Sequence, residues 1–152
     1  MDREQIRAEN DKKKKYLWGY RRHSRRIKRI EAEIEEIRSM KENPSLNTDG
    51  MPAGTDQNDL SNWAAALDKL EREQFEEGVA QVKIFKDISW RIKQLKDENE
   101  RDVMFYRYIK GLEFWEIAVK MDYTERWIHE LHGRALKNLK IAKECSSLQS
   151  KS

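Results

Sequence analysis

Apolar residues recur along this chain at helical spacing, and the pattern divides it into helices of unequal length. Leu17, Tyr20, Ile27, Ile30, Ile34 and Ile37 fall largely three and four apart. That places them on one stripe of a long helix over about 3–41. Ile27, Ile30, Ile34 and Ile37 alone form a coiled-coil-like seam. A second stripe opens with Leu60, Trp63, Leu67 and Leu70 and closes with Phe85, Ile88, Ile92 and Leu95. Asp59 or Ser61 is suited to cap its helix. Glu71 to Gly78 interrupts this second stripe, and a mid-helix glycine costs about 1 kcal/mol against alanine. A bend or local weakness is expected there.

The two stripes predict a helical hairpin over 1–98, with the helices antiparallel. Pairing across a homodimer would satisfy the same seam. Between them, 43–59 holds both prolines, Pro44 and Pro52, and reads as a long loop. Asp97, Glu98 and Asn99 mark the next boundary. Three shorter helices follow, over about 100–110, 114–121 and 125–143. Val103, Met104, Phe105 or Tyr106, and Tyr108 are core candidates of the first, which Gly111 ends. The predicted fold is all-α: a coiled-coil-like hairpin, then a compact helical domain over 99–143, then a disordered tail over 144–152.

Composition agrees with long helices that have wide solvated faces. Charged residues make up 39% and apolar residues 38% of the 152 residues. The net charge of +3 says little, but its distribution says more. Residues 1–30 hold twelve Lys or Arg against four Asp or Glu, a local excess of 12 − 4 = +8. Such a block suits nucleic acid or a solvated helix face. The single cysteine, Cys145, can form no internal disulfide, which fits a reducing cytoplasm. The N-terminus has no apolar stretch of the kind a signal peptide or membrane anchor needs.

The informative stretch is 114–133, FWEIAVKMDYTERWIHELHG. A helix-turn-helix needs two short helices crossing steeply around a tight turn. Ala118 supplies the small residue for close approach, and Ile117 and Met121 the apolar side. Asp122 tolerates a left-handed turn residue. Thr124 stands where a helix cap is wanted, and Ile128 and Leu131 pack the second helix onto the first.

On these residues, 99–140 resembles region 4 of bacterial sigma factors. It is similar above all to phage late-gene transcriptional regulators of the RinA/ArpU-like group. The resembling elements are R-Y-I-x-G-L at 107–112, W-E-I-A at 115–118 and H-G-R-A-L at 132–136. The N-terminal half resembles that group more loosely, in its basic helix and its P…DGMP-x-G loop at 44–54. The resemblance implies sequence-specific binding of double-stranded DNA and control of late genes in the bacterial host cytoplasm. The chain departs from the pattern at Glu113 and Phe114, where Ser or Thr usually caps the first motif helix. It departs also at Asp122, where glycine is favoured, and at Trp127, which is bulky.

If Ile128 and Leu131 face inward, Glu125, Arg126, His129, Glu130 and Gly133 lie outward. In this motif that face enters the major groove. Arg126 suits guanine N7 and O6, and Glu130 or Glu125 suits a cytosine amine. His129 can donate to a base or a phosphate. Arg134, Lys137 and Lys140 are placed for phosphates, and Thr124 opens the helix. Trp63, Trp90 and Trp115 are expected to fill core gaps, and Trp127 to pack on the preceding helix. Trp18 and Tyr20, among arginines, suit either single strands or the hairpin seam.

No glycine-rich phosphate loop, nucleophile elbow or compact metal cluster is present in the sequence, so no enzyme, cofactor or metal is expected. Two other classes stay open. One is an interaction protein that engages host RNA polymerase or another protein without DNA affinity. The other is a small-terminase-like packaging protein, which also combines helix-turn-helix and coiled-coil parts.

Overall fold

The computed structural model describes residues 2–42 and 56–141, with the side chains of 56–60 left aside. Among these residues every regular element is helical. The order is α1 (Arg3–Leu17), α2 (Gly19–Glu42), α3 (Asp56–Lys93), α4 (Glu98–Met104), a π-helical turn (Phe105–Ile109), α5 (Phe114–Met121) and α6 (Glu125–Asn138). The expected tail and Cys145 lie outside the described residues, as does 43–55 of the expected loop. The rest of that loop is already helical, because α3 begins at Asp56. Asp59 and Ser61 therefore sit inside α3 instead of capping it.

The described residues form two compact units, one joining 2–22 to 82–141 and the other within 23–81. In the second unit α2 and α3 run antiparallel. Gln81 donates to the Ser24 hydroxyl at 2.6 Å, His23 meets Glu77 at 2.6 Å, and Arg38 meets Glu71 at 3.3 Å. Rising numbers on α2 thus meet falling numbers on α3. Ile30 and Ile34 are buried at the seam, with Ile27, Ile37, Leu67 and Leu70 half-buried. α3 passes through Gly78 without a break in the helix. A Cβ on Gly78 would meet nothing within 4 Å.

The first unit is built on a different core. Leu17, Ile88, Ile92, Leu95, Met104, Tyr108, Ala135, Leu136 and Leu139 are buried together. Residues 2–22 and 82–98, which hydrophobic pattern groups with the hairpin, thus belong to the compact unit that holds α4 to α6. The predicted single helix over 3–41 is interrupted at Trp18. The Trp18 ring meets Tyr108 edge-on at 4.9 Å, and the Arg107 guanidinium lies 5.0 Å from its centre. Gly19 follows, and a Cβ there would touch Ile84 at 3.4 Å. The glycine lets α2 begin close against α3. α1 itself opens with a capping box: Asp2 accepts from the Glu4 and Gln5 amides, and Gln5 accepts from the Asp2 amide.

The helix expected over 100–110 is α-helical only to Met104. Beyond it the chain widens into a π turn, with the Lys110 amide bonded to the Phe105 carbonyl at 3.2 Å. The buried pairs explain the change. Val103 and Met104 are buried, and so are Tyr108 and Ile109, five residues on. A regular α-helix would have carried Arg107 toward that core; the wider turn holds it half-buried at the edge. Gly111 ends the segment with φ of 72°, and a Cβ there would lie 2.8 Å from Arg21.

Gly78→Ala should stabilise the protein by about 1 kcal/mol, since helix propensity rises and nothing obstructs the methyl group. Urea or thermal unfolding measures this, and a loss of stability would show that the glycine is needed for α3.

Candidate nucleic-acid interface

The first motif helix forms with the expected bounds, and the second with the expected start and a shorter end. α5 covers Phe114–Met121. The Glu113 amide donates to the Glu116 carboxylate at 3.0 Å, so α5 has a cap from within its first turn. This makes up in part for the Ser or Thr that Glu113 replaces. Asp122 is left-handed, at φ 57° and ψ 47°, and the Tyr123 amide returns to the Ala118 carbonyl at 2.9 Å. It is the one non-glycine residue with positive φ among those described. Thr124 caps α6, its hydroxyl accepting from the Trp127 amide at 3.1 Å.

Ile117, Ala118, Ile128 and Leu131 close into one buried cluster with Val103. Ile117, Ile128 and Leu131 have no exposed surface at all. Their burial decides the orientation of α6. With 128, 131, 132, 135 and 136 inward, Glu125, Arg126, His129, Glu130, Arg134 and Lys137 all stand on the exposed side. The Arg126 side chain is 93% exposed. Thr124 is exposed at the head of the same helix.

The outer face carries only loose internal pairs. Arg126 lies 3.9 Å from Glu130, and His129 lies 3.6 Å from Glu125. Exposed pairs one helical turn apart contribute at most a few tenths of a kcal/mol, so either partner is easily drawn to another ligand. His129 rests against the Phe114 ring at 4.2 Å between centres. Arg134 lies over Trp127 at 4.9 Å, and Trp127 packs half-buried on the motif core. Trp90 and Trp115 do not fill the core as expected; they are 51% and 59% exposed. Trp90 stands two residues from the buried Ile88 and Ile92, and Trp115 two from the buried Ile117, so each points away from those core positions.

α6 ends at Asn138, short of the expected 143, and side chains hold carbonyls at and just beyond its end. Lys13 donates to the Leu136 carbonyl at 2.7 Å. Arg91 donates to the Lys140 carbonyl at 2.7 Å and to Asp87 at 2.9 Å. Leu139 turns to an extended conformation and is buried in the first-unit core. Burial lowers the Lys13 pKa, opposed by the charge of Glu9. No spacing rule in the sequence points to Lys13 or Arg91, since their partners are 123 and 49 residues away. Arg107 also stands at this edge, lying over Phe114 at 4.3 Å and donating to the Leu112 carbonyl at 2.9 Å.

Behind the interface, His132 is buried and bonded to the Tyr108 hydroxyl at 2.7 Å. Burial pushes its pKa down to about 4, helped by the charges of Lys14, Arg107 and His129. Burial raises that of Tyr108. Both groups are therefore neutral at pH 7. The folded pKa of His132 lies below its unfolded value, so the unfolded chain binds the proton more tightly. This stabilisation is complete above about pH 6.5 and is lost as pH falls toward about 4. Between pH 7.5 and 5 the loss should be about 2 kcal/mol, read by denaturant unfolding at each pH. A His132→Gln variant should show a flatter curve; an equal slope would remove His132 as the cause.

Residues 91–140 match the family model sigma-70, region 4. No curated protein and no solved structure matches the chain. The match covers the end of α3, all of α4 to α6 and the turn geometry described above. It leaves α1, α2 and most of α3 outside. This third of the chain is thus a sigma-70 region 4 domain, a helix-turn-helix of the DNA-binding kind.

Proposed function

We propose that this chain is a sequence-specific transcriptional regulator that binds double-stranded DNA through the outer face of α6. A phage or prophage origin and action on late genes are part of this reading. It rests on one observation above the rest: the clamp of α6 on α5 leaves Arg126 exposed at the start of a capped recognition helix. In this motif the N-terminal residues of that helix reach base edges. Arg126 reads guanine, with Glu130 and Glu125 suited to cytosine. His129, steadied by Phe114, donates to a base or a phosphate. Arg134 and Lys137, further along, meet phosphates and set the register. Thr124 offers its hydroxyl and the first amides of α6 to the backbone.

The exposed apolar side of α5 favours a further partner. Trp115 and Val119 are 59% and 76% exposed, one helical turn apart, and a protein surface suits them better than DNA. Host RNA polymerase is the partner that a sigma-like domain would offer them to.

Arg126→Ala should cost about 1–3 kcal/mol on the preferred site and little on random duplex. Lys137→Ala should weaken both alike and lower the salt slope by about 0.9. Fluorescence anisotropy across a salt series separates the two. Equal losses on specific and random DNA for both variants would defeat the assignment. A map of bound sites across the host genome tests the wider reading, which expects one strong peak ahead of a structural-gene operon.

A further inference from the structure

The positive charge at the N-terminus of the chain lies beside the recognition helix. α1 belongs to the same compact unit as α6. Lys13 is bonded to the Leu136 carbonyl, Leu17 is buried with Ala135 and Leu136, and Trp18 packs on Tyr108. Lys14 is close enough to His132 for its charge to act on that imidazole. α1 thus crosses the C-terminal end of α6 on the flank that carries His132 and Leu136. Its N-terminal half continues past this crossing, and Arg7 stands about 9 Å further along the axis than Lys13.

The placement of charge on α1 is uneven. Arg3, Arg7 and Lys14 are spaced by four and seven, so they share one edge of the helix. Arg3 and Arg7 are exposed and Lys14 is half-buried. Asp11, four residues from Arg7 and three from Lys14, shares this edge, which keeps an excess of 3 − 1 = +2, while Glu9 falls on another side. The inward face is formed by Lys13 and Leu17, which fixes the rotation of the helix and keeps the Arg3–Arg7–Lys14 edge to one side.

We propose that α1 is a second DNA-contacting element, whose Arg3, Arg7 and Lys14 edge meets duplex phosphates next to the groove that α6 enters. This rests on the reading of α6 as the recognition helix. The contacts carry no base information, because Lys and Arg on phosphates position without reading sequence. Their part is to lengthen the footprint and to hold the short α6 in its groove. The basic residues that the sequence shows as one block thereby divide. One edge serves DNA, while Lys13 serves the protein interior.

The test compares the full chain with two variants of equal charge, Arg7→Gln with Lys14→Gln, and Lys12→Gln with Lys15→Gln. Lys12 and Lys15 are exposed on other sides of α1. Binding to a random-sequence duplex and to the preferred site is followed over a salt series. The first variant should lower the salt slope by about 1.8, at about 0.9 for each phosphate contact, and weaken both duplexes by the same factor. The second should keep the parent slope. Arg3→Gln with Arg7→Gln, both fully on the surface, repeats the test should loss of Lys14 disturb folding. Parent-like slopes in all variants would overturn the role of α1 while leaving α6 as the reader. Equal losses in the first and second variants would reduce the effect to net charge and overturn it too. A parent chain that binds no duplex would remove both readings.

Discussion

The grip of Ile128 and Leu131 on Ile117 and Ala118 is the contact on which the rest depends. Four side chains and Val103 bury their surfaces together, with the small Ala118 among them. Filling such a site with added methylenes costs about 1–3 kcal/mol. Because the two helices are short, neither would persist alone in water. Their association sets the crossing, the crossing demands the left-handed turn at Asp122, and the turn delivers Thr124 to its cap. The exposed face of α6 is the remainder: it is whatever the clamp does not bury. Arg126 is available because Ile128 is not.

The C-terminal end of α6 is held in another way. Here buried polar groups close the helix, with Lys13 on the Leu136 carbonyl, Arg91 on the Lys140 carbonyl just past its end, and Asn138 on the buried Glu100 at 3.2 Å. A cation withdrawn from water is costly unless hydrogen bonds replace the lost hydration. These carbonyls supply them, and Lys13 completes one of the orphan acceptors that every helix end leaves. The arrangement ties α1 and the end of α3 to the recognition helix. A sigma-like domain that matches from residue 91 is thus completed by residues from the other end of the chain.

Aromatic and basic residues share the edge between these two regions. Arg107 stands between Trp18 and Phe114, and Phe114 supports His129 on the outer face. The π turn places Arg107 there, since a regular helix would bury it. The exposed His129 is therefore supported by Phe114, then Arg107, then Trp18 of the N-terminal segment. The chain of contacts gives the N-terminal helix a physical route to the proposed interface besides its own charges.

Local periodicity in the sequence determined the helical class, the antiparallel pairing of α2 with α3, the bounds of α5 and the clamp residues of the motif. These follow from spacing along a helix, which acts over a few residues and is visible in one chain. The outward set from Thr124 to Lys137 was legible for the same reason, because burial of Ile128 and Leu131 leaves one choice of face. Tertiary structure alone decided the partners of Lys13 and Arg91, the π turn after Met104, the exposure of Trp90 and Trp115, and the break at Trp18. Each of these depends on which surfaces meet across many residues of chain. A lysine in a run of four reads as solvated until a distant carbonyl is placed against it, and no spacing rule carries that information.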